Sequence, residues 1–206
     1  PTYAVSYKNK PVVLSSALGV SLKDKTALVN HFEVTGTTTH AVNETWKPVL
    51  GEQAQIVNHY NELIVALVQK DSKVKLNLVF RAFDEGVAFR YDFPKQENLN
   101  YFIISDEKTE FNLTENNKVF WIPGDFDSNE YVYNETKFSE IDNEKLNLNN
   151  GIGVKSIPGK YTVQTPLQMK SPSGLYLNIF EAAVVNYPVM HLDANVQKYT
   201  LKANLV

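Results

Sequence analysis

The chain has 206 residues, 43% of them hydrophobic and 12% aromatic, so it carries ample material for a core and is not a disordered tail. Its 20 Lys and Arg nearly balance its 23 Asp and Glu, a formal net charge of −3, which argues against nucleic acid as the main partner because phosphate-backbone binding needs a clustered basic surface. The lack of cysteine excludes disulfide staples, thiolate zinc sites and a cysteine nucleophile, and leaves the compartment open.

The chain opens at Pro1 with neither a Met nor a signal-peptide pattern, as expected of a trimmed product. Period-two alternation recurs along it and sustained helical periodicity does not, so strands are expected at 4–7, 12–15, 27–35 and 63–68. Between 74 and 80, Val74, Leu76, Leu78 and Phe80 share one face against Lys75 and Asn77; between 87 and 93, Val87, Phe89, Tyr91 and Phe93 oppose Ala88, Arg90 and Asp92. Asp84, Glu85 and Gly86 between them supply a turn with a residue that tolerates positive φ, and the pair reads as a β-hairpin. Further strands are expected at 101–104, 119–122, 161–165, 175–179 and 199–205. The charge-rich stretches 108–117 and 135–146 are expected as short helix or loop.

Turn residues punctuate these runs: Asn9 and Lys10 before Pro11, Pro123-Gly124, Asn149-Asn150-Gly151, Pro158-Gly159 and the Ser-Pro-Ser-Gly run from Ser171 to Gly174. Many short strands with few helical stretches imply an all-β sandwich or barrel, read as a single domain over 1–206. No apolar run approaches the ~18 residues of a membrane helix, so no membrane span is expected.

Most catalytic templates fail on these residues. Gly153 and Gly159 do not make a phosphate loop, because Tyr161 follows Lys160 where Ser or Thr is required. Asp125, Asp127 and Asn129 imitate the start of a calcium-binding loop, yet Glu130 stands where Gly is needed and Thr136 where the closing Glu belongs. This acidic segment, with Trp121, Tyr131 and Tyr133, reads as a solvated loop after a strand or as part of a sugar-binding surface. His31, His40, His59 and His191 show no i, i+4 pair, and no GxSxG nucleophile elbow is present. Asn58 to Glu62 reads as a hydrogen-bonded turn at a strand entrance or as part of an interface with another domain. Glu181 stands out: if Leu175, Leu177 and Ile179 face the core, period-two geometry puts its carboxylate where an apolar side chain is expected. Either the strand ends or bulges there, or Glu181 meets a cation, and the small Ala182 and Ala183 beside it allow another surface to approach.

Four segments carry a family resemblance: ETWKPVLGEQAQIVNHYNEL at 44–63, FRAFDEGVAFRYDFP at 80–94, WIPGDFDSNEYVY at 121–133 and LNIFEAAVVNYPVMHL at 177–192. Together they resemble the N-terminal domain of glycoside hydrolase family 97. The resemblance implies a β-supersandwich of galactose-mutarotase-like type, followed in the family by a (β/α)8 catalytic barrel and a small C-terminal β-domain. It further implies an exo-acting α-glucosidase or α-galactosidase acting on α-linked oligosaccharides, in the periplasm of gut Bacteroidetes. A calcium ion beside the scissile bond takes most of its ligands from the barrel and one Glu from the N-terminal domain, which carried onto this sequence is Glu181.

No catalytic residue is expected in this chain, because glycoside hydrolysis needs an acid and a base or nucleophile that the family places on the barrel; the isolated chain is expected to be inactive. The family domain is expected to continue beyond Val206, whose closing strands would otherwise leave a sheet edge free to pair. Two other readings stay open: a free-standing carbohydrate-binding β-sandwich with Trp46 and Trp121 as stacking platforms, and, by fold analogy alone, a mutarotase.

Overall fold

A computed structural model describes residues 1–146 and 156–206, so the turn expected at Asn149-Asn150-Gly151 lies outside the described residues. In chain order the strands are β1 (Thr2–Tyr7), β2 (Lys10–Ala17), β3 (Val20–Leu22), β4 (Phe32–Trp46), β5 (Ile56–Gln69), β6 (Lys75–Ala82), β7 (Val87–Asp92) and β8 (Ile104–Glu107). They continue as β9 (Glu110–Leu113), β10 (Lys118–Trp121), β11 (Asn134–Lys137), β12 (Thr162–Gln164), β13 (Leu167–Lys170), β14 (Tyr176–Ile179), β15 (Met190–Asn195) and β16 (Thr200–Leu205). The helical segments among the described residues are single 3-10 turns, and none is long and apolar enough to cross a membrane. The fold is all-β.

The chain divides into two compact units, one made of Pro1–Lys23 with Ile104–Val206 and the other of Asp24–Ile103. In the first, a sheet ordered β1-β2-β9-β16-β15-β12 and a sheet ordered β11-β10-β13-β14 contribute to one hydrophobic cluster. Val119 and Trp121 of β10 and Leu167 and Met169 of β13 come from one sheet. Leu113, Val163, Leu192 and Leu201 come from the other. Two antiparallel sheets that bury their inner faces against each other form a sandwich. The second unit is a single antiparallel sheet, β4-β5-β6-β7.

Turn chemistry sets the hairpins. Lys8 and Asn9 both adopt positive φ and join β1 to β2 through the Tyr7↔Lys10 pair, the mirror-image turn whose twist matches the flanking strands. The expected β6–β7 hairpin is present with Ala82 opposite Val87, closed by the Phe83 N–H donating to the Gly86 carbonyl at 2.8 Å; positive φ at Gly86 is not used. Val74, Leu76 and Leu78 are buried along the expected face. Other expectations shift. The run expected at 27–35 begins only at Phe32, because His31 takes a left-handed φ of 56° that breaks the extended chain. Asn58 to Glu62 form no turn but lie inside β5, opposite residues 40–44 of β4. The stretches 108–117 and 135–146 contain β9 and β11, and only two 3-10 turns of the latter are helical.

Pro123-Gly124 serves as a close approach. Pro123 bridges Val163, the Gly124 N–H donates to the Thr162 carbonyl at 2.8 Å, and a Cβ on Gly124 would lie 2.5 Å from Thr162 Cγ2 and 3.3 Å from its backbone carbon. Gly124→Ala is therefore expected to lower stability by about 1–3 kcal/mol in chemical denaturation of the full-length protein, since backbone must move to relieve the overlap.

Candidate functional site

β14 runs antiparallel to β13 with Leu167 opposite Ile179, and Leu177 and Ile179 pack on the core cluster while Tyr176 and Phe180 face outward. The regular strand ends at Ile179, two residues before Glu181, yet Glu181 keeps the inward side of the alternation and is half-buried. Its carboxylate meets donors of its own unit. The Met190 N–H donates to Oε1 at 2.5 Å and the Thr165 hydroxyl lies 2.6 Å from Oε2. The same Thr165 hydroxyl is 2.9 Å from the Met190 carbonyl, so three oxygen-bearing groups from separate stretches converge here. Spacing could mark Glu181 as out of place but not Thr165, which lies 16 residues upstream, beside the Pro just ahead of β13.

The chain flanking Glu181 is apolar and uncovered: Phe180 just before it is 60% exposed, and after it Val185 is 74% exposed, with Val184 and Val189 about half exposed. Contiguous exposed apolar surface of this kind marks an interaction site more often than an idle surface. A second tie holds the segment at its far end, where the Tyr187 hydroxyl donates to Oε2 of the buried Glu107 at 2.6 Å. Glu107 also accepts from the Thr109 hydroxyl, at 2.5 Å.

Among the described residues no three His, Asp or Glu side chains gather as a metal site would need. The test of fit therefore falls on Glu181 alone. Its donors are carboxylate oxygens, the hard type that calcium prefers; each accepts one hydrogen bond and keeps a further lone pair. Its chemistry fits one position in a calcium shell, which takes about six to eight oxygens in all.

The remaining sequence candidates separate. His31 pairs with Asp71 at 2.8 Å on an exposed surface, and His40 and His59 lie on β4 and β5. His191, on β15 opposite Gln164, is 3% exposed, stacks on Phe126 with a centroid distance of 5.7 Å and leaves Nδ1 without a hydrogen-bond partner among the described residues. Burial pushes its imidazole below the usual 6.5, against the opposing pull of the Asp125, Glu181 and Asp193 carboxylates. The unfolded ring takes up a proton more readily than the folded one, so this contribution to stability is complete above 6.5 and is lost as pH falls from there through the lowered folded value. Thermal unfolding of the full-length protein followed from about pH 7 to about pH 5 is expected to show that decline, and His191→Phe, which keeps the stacking and removes the titration, is expected to flatten it.

The imitation calcium loop has a different job. Oδ1 of the buried Asp125 accepts from the backbone N–H groups of Asp127, Ser128 and Ser156 at 2.8, 3.2 and 3.2 Å, and Oδ2 accepts from the Tyr131 hydroxyl at 2.5 Å. Asp125 is a hub that folds the segment inward, so the reading of a solvated loop is corrected at this residue. Burial, reinforced by the bond to Asp125 and its charge, pushes the Tyr131 phenol up to about 12. Trp121 is also corrected as a stacking platform: it is 1% exposed, and its indole N–H donates to the Thr136 hydroxyl at 3.0 Å. Trp46 remains about half exposed on β4.

The glycosyl-hydrolase 97 N-terminal family matches residues 1–205, and the chain belongs to it. A glycoside hydrolase family 97 enzyme from Pseudoalteromonas sp. strain K8, solved in complex with acarbose, is 32% identical with a TM-score of 0.83 over all of this chain and 28% of that one. The E480Q form of that enzyme, in complex with panose, is 31% identical with a TM-score of 0.83. A retaining alpha-galactosidase from Bacteroides thetaiotaomicron is 22% identical over 206 residues, covering 94% of this chain and 27% of that protein. The chain thus spans little more than a quarter of the relatives it matches and corresponds to their N-terminal domain.

Proposed function

We propose that this chain is the non-catalytic N-terminal module of an exo-acting α-glycosidase, and that Glu181 lends one carboxylate to an active-site calcium ion. In this reading the other ligands and the acid and base come from the catalytic barrel of the same polypeptide, and the substrate is an α-linked oligosaccharide. The relatives' descriptions, a retaining alpha-galactosidase and complexes with acarbose and panose, support that substrate class. The enzyme is periplasmic in this reading, as the family resemblance implies.

The observation that carries the proposal is Glu181 itself: a carboxylate held by Thr165 and Met190 at the rim of an uncovered apolar segment. When bound, the ion would polarise the glycosidic region and favour the charged form of nearby carboxylates. What this chain does is fix the height and direction of one oxygen donor and present the apolar rim against which water can be excluded.

The test is a calcium titration of the full-length enzyme on p-nitrophenyl α-glycosides after treatment with a chelator. Activity is expected to fall on chelation and return with calcium, and Glu181→Ala is expected to need far more calcium for the same return. A wild-type calcium response in Glu181→Ala removes this residue from the mechanism.

A further inference from the structure

Glu181 opens a stretch of chain that neither burial nor strand pairing holds in place. Residues 182–189 are all exposed and lie outside any strand or helix, and residues 182–186 make no backbone hydrogen bond among the described residues. The hydrophobic effect, which fixes most of a fold, therefore contributes little here. Side-chain ties do the holding. The Tyr187 hydroxyl reaches inward and donates to Oε2 of Glu107 at 2.6 Å, while the Thr109 hydroxyl donates to Oε1 at 2.5 Å. Beyond Tyr187, the Val206 N–H donates to the Val189 carbonyl at 3.0 Å where β15 begins.

Glu107 is 8% exposed and has no Lys, Arg or His within ion-pair distance among the described residues. Burying a carboxylate is costly unless strong donors meet it. An amide at this position could accept the Tyr187 proton with less desolvation, whereas the carboxylate makes a charge-assisted bond, roughly twice as strong as a neutral one.

The tie is anchored in the framework that also carries the donor to Glu181. Glu107 on β8 stands opposite Val20 of β3, a fully buried residue, and the Lys108 N–H donates to the Gly19 carbonyl at 2.8 Å. The Ala203 N–H of β16 donates to the Thr109 carbonyl at 2.9 Å, and β16 pairs with β15 through Leu205 opposite Met190. Met190 in turn supplies the N–H that meets Glu181 Oε1. Glu181 and Met190 are thus the two ends of one loop that have to meet, and Tyr187 pins that loop just ahead of Pro188. Pinning shortens the free stretch whose closure costs entropy.

We infer that Glu107 and Tyr187 form a latch that holds Glu181 in the geometry that accepts a calcium ion. The inference rests on the proposed role of Glu181 and deepens it; Glu107 and Tyr187 are positioning residues and neither ligates the ion. With the latch closed, the carboxylate is in its binding geometry in nearly every molecule. With the latch open only a fraction is competent, and the apparent affinity falls by that fraction.

Isothermal titration of calcium into the chelator-treated full-length enzyme tests this without turnover. Tyr187→Phe, which keeps the ring and removes the hydroxyl, is expected to weaken calcium binding about fivefold, as for a competent fraction cut to about a fifth. Glu107→Ala is expected to weaken it equally, and the double variant no further than either alone, because the two side chains act as one bond. Glu107→Gln, whose carbonyl can still accept from Tyr187, is expected to stay within about twofold of wild type. In the metal-free enzyme, hydrogen exchange at the Met190 amide is expected to speed up about fivefold in Tyr187→Phe, since that amide is protected by Glu181. Should Glu107→Ala fail to fold, Tyr187→Phe, which loses one oxygen, carries the test with these two measurements.

Wild-type calcium affinity in Tyr187→Phe overturns the latch, and if Glu181→Ala is weakened in the same assay Glu181 remains a ligand. A double variant weakened by about 25-fold, the product of two independent losses, also overturns it. Wild-type affinity in Glu181→Ala removes the ligand itself and with it the reading on which the latch rests.

Discussion

Replacing Glu181 by Gln in the full-length enzyme is expected to raise the calcium needed for half-maximal activity on the order of 100-fold while leaving the fold intact. Gln keeps the shape of the side chain and one carbonyl oxygen to accept from the Met190 N–H, and its amide can donate to the Thr165 hydroxyl, so the local ties survive. What disappears is the charge and the second oxygen, which a hard cation values and a purely structural tie does not. If Glu181 merely stitched its segment to β15, Gln would be nearly silent and Ala would lower thermal stability without touching the calcium response. A large calcium shift in Gln with unchanged unfolding therefore separates the two roles. Thr165→Val supplies the complementary control: it removes the hydroxyl that positions Oε2 but not the ligand, and a smaller shift, on the order of 10-fold, is expected.

Asp125→Ala is expected to cost about 2–4 kcal/mol in chemical denaturation, because the substitution strips one acceptor from three backbone N–H groups and a tyrosine hydroxyl together. Asp125→Asn is expected to lose less, since its carbonyl oxygen can still accept and its amide can donate to Tyr131. Burial by itself would push the Asp125 carboxyl up. The Tyr131 hydroxyl and the backbone N–H groups of Asp127, Ser156 and Ser128 together outweigh it and hold the group below the usual 3.8. A carboxylate depressed in the folded state contributes its full stabilisation above 3.8, and loses it as pH falls through the lowered folded value. Acid unfolding of the wild type should therefore carry a component below 3.8 that is missing from Asp125→Ala.

Much of the fold is legible in the residues because many of its strands alternate cleanly. The β6–β7 hairpin is the clearest case, with apolar residues on one side and a short polar turn. β9 and β11 escape the same reading for physical reasons. β11 is an edge strand paired only with β10; Glu135 and Lys137 face solvent and the alternate residues Asn134 and Thr136 are polar as well, so no hydrophobic period exists to be seen. β13 alternates strongly, Leu167 and Met169 being buried and Gln168 and Lys170 exposed. Its four residues are boxed between Pro166 and Pro172, which hides a short strand in what looks like turn sequence. β15 is likewise masked by Pro188 just ahead of it.

The site divides along the same line. Periodicity exposes Glu181 because an acid interrupts an apolar row, and that inference needs only one strand. Its partners sit on other stretches of chain, so Thr165 and Met190 become visible only when the sheet is assembled. The motif at 58–62 misleads in the opposite direction. Its polar residues look like a turn because they alternate on a ribbon whose two faces are both partly open, and strand pairing rather than composition decides their conformation.

On the proposed calcium reading, the paired restraints on the segment from Glu181 to Tyr187 bear on the kinetics of metal capture. Thr165 and Met190 grip one end and Glu107 the other, so the side chain's rotational freedom is surrendered during folding and is not charged again when an ion arrives. A donor poised in this way should let the cation enter and leave without waiting for a loop to reorganise. The speed of exchange would then be governed by water shedding from the metal and by its other ligands.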